Sequence, residues 1–123
     1  MAAEVVLDAR GLVKDYRRNR AVDGVDLVVH AGERVALLGP NGTGKTTTLL
    51  MILGVVRPDA GEVAICGLDL AHKRSEAAEC VGFAAGYLPL TERMRVSEYL
   101  QLYGQLYGLP DPTARIEEGL ERF

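Results

Sequence analysis

Gly39-Pro40-Asn41-Gly42-Thr43-Gly44-Lys45-Thr46 decides the reading of this chain. The octet has the form G-x-x-x-x-G-K-[ST], that of a phosphate-binding P-loop. Its glycines let backbone N–H groups turn toward the phosphates of a nucleotide. Lys45 reaches the β- and γ-phosphates as a point charge, and the Thr46 hydroxyl is a ligand for Mg²⁺. A glycine-rich turn matching by accident is the plain alternative. With ordinary residue frequencies, a chain of this size matches the fixed positions by chance roughly once in a few hundred. The flanks argue further against accident. Arg34-Val35-Ala36-Leu37-Leu38 is a nearly continuous apolar run, as a buried parallel strand requires. Lys45 to Leu53 reads as a helix whose N-terminus adds a positive field for anions. Strand, loop and helix in that order predict an α/β P-loop fold that binds a nucleoside triphosphate.

Working outward, the composition fits one soluble globular unit. The chain has 123 residues and a formal net charge of −3, with an isoelectric point near 5.4. That length buries a core of moderate size. The mild acidity gives no support for a nucleic-acid surface. The longest apolar run, Leu49 to Val56, contains Gly54 and is too short to span a bilayer. Met1-Ala2-Ala3-Glu4 has no basic start followed by an apolar stretch, so no secretion signal is read. Cys66 and Cys80 read as reduced thiols acting as small apolar residues, rather than as a disulfide or a metal pair. His30 and His72 lack ligand spacing and read as surface residues.

The elements alternate. Glu4 to Ala9 reads as a strand, and Val13 to Arg17 as a second strand or its continuation. Arg17 to Arg20 is a polar turn, Val25 to His30 a strand, and Ala31-Gly32-Glu33 a tight turn. Beyond the P-loop helix, Arg57 to Gly61 is a turn punctuated by Pro58 and Gly61. Glu62 to Cys66 is a strand, Lys73 to Cys80 a helix, and Val81 to Ala85 a short buried strand. In the last third, Ser97 is the expected N-cap of a helix that Gly108 closes. Asp111-Pro112 opens a final helix as N-cap and N1. Tyr99, Leu102, Tyr103, Leu106 and Tyr107 follow helical spacing, read as core packing rather than a docking stripe. No internal repeat or dividing linker is seen.

A guanine-reading Asn-Lys-x-Asp segment is absent, and Asp8-Ala9-Arg10-Gly11 precedes the P-loop instead of following it, so a GTPase is disfavoured. Arg74, Arg93, Arg95 and Arg115 form no kinase-like constellation. The surroundings of the loop decide further. The chain resembles the ATP-binding subunits of ABC transporters from about Leu7 to Leu109. The likeness rests on Leu12-Val13-Lys14-Asp15-Tyr16, Ala21-Val22-Asp23-Gly24-Val25, Gly32-Glu33, Leu38 to Thr47, Pro58-Asp59-Ala60-Gly61 and Cys66-Gly67-Leu68-Asp69. Leu106-Tyr107-Gly108-Leu109 looks like the ATPases of multidrug, antibiotic or sodium exporters.

The resemblance implies a truncated ABC-type ATPase domain: an N-terminal antiparallel portion, part of the parallel P-loop core and the start of a helical subdomain. It implies an ATP-binding core over residues 1–85, a segment facing a membrane partner over 86–95, and helical-subdomain residues from 96 to 123. It implies MgATP held by Gly39, Pro40, Asn41, Gly42, Thr43, Gly44, Lys45, Thr46 and Thr47, with Thr46 on Mg²⁺ and Tyr16 stacked on adenine. It also implies transmembrane permease subunits, a second ATP-binding domain in a head-to-tail dimer, and a place on the cytoplasmic face of the membrane. ATP hydrolysis by the full-length protein would drive transport, with export favoured by the exporter-like end. A soluble ABC-type ATPase acting on ribosomes or DNA repair, or a non-catalytic nucleotide-binding regulator, are the rivals.

Two departures qualify the resemblance. The family's Mg²⁺-contacting glutamine falls on Gly86, which has no side chain to offer. The family's signature segment, Asp-Glu strand and switch histidine do not occur, so catalytic residues are expected beyond Phe123. Glu117 and Glu118 read as a solvated helix face, not a catalytic pair. ATP turnover by these residues alone is expected to be poor. The run at Arg34–Leu38 is expected to leave apolar surface unpaired when it stands without further strands.

Overall fold

The computed structural model describes residues 3–40, 42–84 and 92–123. Two compact units divide the chain, Met1–Gly82 and Phe83–Phe123.

The first unit is built on a four-stranded antiparallel sheet of order β2-β1-β3-β4. Its strands are β1 (Val5–Tyr16), β2 (Asn19–His30), β3 (Ala60–Ile65) and β4 (Leu68–Asp69). β1 is one strand, where the sequence left open one or two. Gly11, at φ 57°, sits where the register slips between Ala9 and Leu12. An extra residue in a strand shifts the alternation of its faces. Ala9 and Leu12, three apart, therefore both point into the core and are fully buried. The Asp26 carboxylate accepts the Gly11 N–H at 2.6 Å and ties the irregular point to β2. β2 starts earlier than expected, because Asn19, Arg20, Val22 and Asp23 gain pairing partners on β1 that local propensity does not report.

Helix α1 (Lys45–Ile52) and helix α2 (Arg74–Ala78) cover one face of the sheet. Met51 of α1 and Ala77 of α2 join Ala9, Leu12, Val22, Val63 and Ile65 in the core. Cys66 at φ 50° and Gly67 at φ 77° form the two-residue turn between β3 and β4. Positive φ at both positions matches the twist of a tight hairpin.

Two strands read from the sequence do not form. Arg34–Leu38 has no regular structure, with Val35 50% and Leu38 89% exposed. A parallel strand needs hydrogen-bonding neighbours on its sides. Among the described residues no strand lies beside it. Residues 81–84 likewise form no strand, and Phe83 is exposed. The helix read over Lys73–Cys80 shortens to α2.

The second unit holds helix α3 (Val96–Leu106) and helix α4 (Thr113–Arg122). The N-cap of α3 is Arg95, not Ser97: the Glu98 carboxylate, in the first turn, accepts the Arg95 N–H at 2.9 Å. Gly108 ends the helix as expected. Its N–H donates to Gln105 O at 3.0 Å and that of Leu109 to Gly104 O at 2.9 Å, with Gly108 at φ 74°. This crossed pair is the Schellman arrangement. The N-cap of α4 is Pro112, one residue later than the Asp111 read from the sequence; Pro112 has helical dihedral angles and Asp111 accepts the Thr113 N–H at 3.2 Å. Gly104 packs on Pro112. The aromatic stripe is not core: Leu102, Tyr103, Leu106 and Tyr107 are exposed. α4, itself without a buried residue, covers only part of α3.

Candidate functional site

The loop from Gly39 to Thr46 links an irregular segment to α1, and its glycines carry the backbone through conformations that other residues rarely adopt. Gly42 has φ 86° and Gly44 φ 87°. At Gly44 a side chain would also have no room, because a Cβ would stand 2.3 Å from the Ala21 carbonyl oxygen on β2. The loop is thus pressed against the sheet at one point.

Gly44 is the N-cap of α1 and offers no side-chain cap, and the first turn contains no acidic residue. The first amides of a helix have no acceptor within it. Those of Lys45, Thr46 and Thr47 therefore suit an anion, with the helix dipole behind them. Lys45 Nζ donates to the Gly39 carbonyl, so the ammonium reaches back across the loop. Thr43 Oγ1 donates to the Pro40 carbonyl at 2.7 Å. Thr46 is exposed at the same end of α1.

These residues fit a triphosphate: an uncapped helix start, a mobile-length ammonium and a glycine contact that brings backbone close. For Mg²⁺ the donor set is a single hydroxyl, that of Thr46. Among the described residues no cluster of His, Cys, Asp and Glu could hold a metal by itself. That suits a Mg²⁺ ion, which keeps waters and shares phosphate oxygens with few protein ligands.

Tyr16 ends β1 and is 46% exposed. It pairs with Asn19, two residues before Ala21 of β2, whose carbonyl faces Gly44. The same hairpin end thus carries the aromatic ring and abuts the loop. Of the nearby arginines, Arg20 is engaged, 2.8 Å from Asp15 and 3.3 Å from Asp23. Its hydrogen bond holds the Asp15 carboxyl below the usual carboxylate range. Arg17 and Arg18 are exposed, in keeping with a solvated basic turn.

Asn41 lies outside the described residues, as do Gly86 and the rest of 86–91. Glu117 and Glu118 are exposed on α4. Cys66 and Cys80 are free and exposed. Partial desolvation and a hydrogen bond with Cys80 push the Cys66 thiol above its ordinary value. Sequence reasoning missed the roles of Lys14, whose ammonium lies 5.6 Å from the Tyr16 ring centroid, and of Asp59, 3.6 Å from that ammonium. Lys14 was findable, since residues two apart on a strand share a face. Asp59, more than forty positions away, was not.

The family described as ABC transporter matches residues 22–123. The Nod factor export ATP-binding protein I of Ralstonia nicotianae is 42% identical over 110 residues, covering 89% of this chain and 34% of the relative. The daunorubicin resistance ATP-binding protein DrrA2 of Streptomyces coeruleorubidus is 37% identical over 117 residues, covering 94% of this chain and 36% of the relative. The chain spans about a third of the length of these relatives. Among solved structures, an ATP-binding subunit of an ABC transporter superposes with a TM-score of 0.76 at 32% identity, over 86% of this chain and 44% of that one. A bacterial ABC transporter cassette solved as a dimer gives 0.76 at 25% identity, over 94% and 54%. With the family matching most of its length and the P-loop in place at the start of α1, the chain belongs to the ABC transporter family and carries the fold of its ATPase domain.

Proposed function

We propose that this chain supplies the nucleotide cradle of an ATPase that powers an export permease. The observation that carries the proposal is the start of α1, uncapped, free of acids, and fronted by Gly44 and Lys45. The triphosphate lies along Gly39, Pro40, Asn41, Gly42, Thr43, Gly44, Lys45, Thr46 and Thr47. Lys45 exchanges the Gly39 carbonyl for a phosphate oxygen, a neutral acceptor for a charged one. Hydrogen bonds between charged groups are roughly twice as strong as neutral ones. The Thr46 hydroxyl would hold Mg²⁺, which neutralises charge on the β- and γ-phosphates. Tyr16 stacks on the base, a contact worth about 1–3 kcal/mol per base where single strands have been measured.

Phosphoryl transfer is chiefly positioning and electrostatic stabilisation. This chain's residues account for binding and positioning of the phosphates. A metal-binding acid and a group orienting water are still required, and Glu117 and Glu118 do not fill those roles. We assign them to the remainder of the full-length protein and to a second ATP-binding domain closing head to tail. The dimeric cassette among the structural neighbours supports such pairing. Among the described residues no helix is long and apolar enough to cross a membrane. We assign membrane attachment, on the cytoplasmic face, to permease subunits. The names of the relatives, export and drug resistance, support transport over a role on ribosomes or in DNA repair.

The test is Mg-nucleotide affinity of the intact protein and of Lys45→Ala. Loss of a charge-assisted bond, about 1.5–3 kcal/mol, weakens binding by at least tenfold. Equal affinity in the two proteins would overturn the assignment.

A further inference from the structure

Tyr16 is contacted by Lys14, which is itself held by residues of a distant turn. Lys14, two residues earlier on β1, has its ammonium over the Tyr16 ring, 5.6 Å from the centroid. The same ammonium donates to the Arg57 carbonyl at 2.9 Å and lies 3.6 Å from Asp59 Oδ1. The Lys14 side chain is 18% exposed, so it is largely enclosed by these partners. The other Asp59 oxygen accepts the Asp15 N–H at 2.7 Å. The Asp59 N–H in turn donates to the Val13 carbonyl at 2.8 Å. Gly61 closes the arrangement, since a Cβ there would stand 2.5 Å from the Arg10 and Gly11 carbonyl oxygens. Residues 13 to 15, immediately before Tyr16, are therefore each tied to Arg57 or Asp59, and Lys14 alone carries that anchorage to the Tyr16 ring.

We propose that Lys14 and Asp59 are positioning residues for base binding, fixing the ring of Tyr16 so that it meets the nucleotide base already oriented. The proposal rests on the reading of Tyr16 as the base platform. A lysine is ordinarily a flexible chain that loses much rotamer freedom when held. Here a carbonyl and a carboxylate hold its head group, so its place over the ring is maintained before any ligand arrives. A ring pinned in this way spares the binding step the cost of ordering it. Asp59 acts twice, once on the ammonium and once on the backbone of Asp15, immediately before Tyr16. The turn's proline and glycine shape the backbone, and Asp59 gives that shape a use at the base site.

The experiment compares two probes on the intact protein, MgATP and magnesium tripolyphosphate, which has no base. The variants are Lys14→Met, Asp59→Asn, Tyr16→Ala and the double variant Lys14→Met/Tyr16→Ala. Asparagine at 59 keeps an acceptor for the Asp15 N–H while removing the charge, so that variant retains the turn. A cation–π contact at an exposed site corresponds to about a two- to fivefold change in affinity. Lys14→Met and Asp59→Asn should each weaken MgATP by about that factor and leave tripolyphosphate unchanged. Lys14→Met should add nothing once Tyr16 is alanine. Equal weakening of both probes shows a merely structural network and overturns the inference. So does unchanged MgATP binding in Lys14→Met and Asp59→Asn while Tyr16→Ala weakens it. If Tyr16→Ala alters neither probe, the base-platform reading fails first, and the inference with it.

Discussion

At residue 44 two constraints coincide: φ is 87°, and a Cβ would stand 2.3 Å from the Ala21 carbonyl oxygen. Residue 42 shares only the first, with φ 86° and nothing within 4 Å of a Cβ. The pair separates backbone strain from contact with the sheet. Gly42→Ala should cost about 1–2 kcal/mol, the penalty of a left-handed residue. Gly44→Ala should cost more, by an added 1–3 kcal/mol or so from overpacking, and should weaken MgATP binding as α1 is displaced. Urea unfolding and nucleotide titration of both variants check this. Equal losses would mean that the approach to β2 is not what requires glycine at 44. This is also the scale at which the sequence was most legible. The P-loop glycines and Lys45 occur at fixed spacing because the chemistry of phosphate binding is local. Lys14 and Asp59 escaped notice because their meeting depends on how a turn packs against a strand far away in sequence.

Between elements, α3 and α4 meet where a small residue permits it. Gly104 is buried, and a Cβ there would lie 2.6 Å from Pro112 Cβ. Gly104→Ala should therefore push the start of α4 away from α3 and destabilise this helical pair by about 1–3 kcal/mol. Amide hydrogen exchange of residues 96–122 reads the effect directly. Unaltered protection there would show that the pair does not depend on this contact. The end of α3 was legible for the same reason as the P-loop, since Gly108 acts on the few residues beside it, whereas the helix starts fell on Arg95 rather than Ser97 and on Pro112 rather than Asp111. The strand read at Arg34–Leu38 was not borne out, because apolar composition records what a segment would bury, whereas pairing depends on neighbours. The tyrosine stripe misled in the same way. Its spacing identifies one face of a helix, and only packing decides whether that face is covered.

Over the whole molecule, both units present apolar side chains to solvent. Val35, Leu38 and Phe83 do so in the stretches without regular structure, and Leu102, Leu106 and Tyr107 do so on α3. Exposed apolar side chains favour association. Residues 1–123 alone should bind a hydrophobic dye and scatter light increasingly with concentration. Leu38→Lys should reduce the scattering without lowering the unfolding midpoint, because a side chain 89% exposed contributes little to the core. Scattering that does not change would place the adhesive surface elsewhere. The exposure at Arg34–Leu38 was expected from the sequence, whereas that of α3 was not, because it depends on what the second unit leaves uncovered.

The Gly44–Ala21 contact has a kinetic consequence. Strand β1 first finds β2 across a turn of two residues, Arg17 and Arg18, and such local hairpins close within about 1–10 μs. Its other edge must wait for β3, which arrives only after the entire P-loop and α1 have been threaded between. Pairings of such unequal span are made in sequence, the short one before the long one. Ala21 is in place at the first step, so the hairpin stands as a surface against which the phosphate loop later settles. On this order the phosphate loop would settle on a hairpin already formed, so nucleotide binding followed during refolding should appear after β1 and β2 have paired.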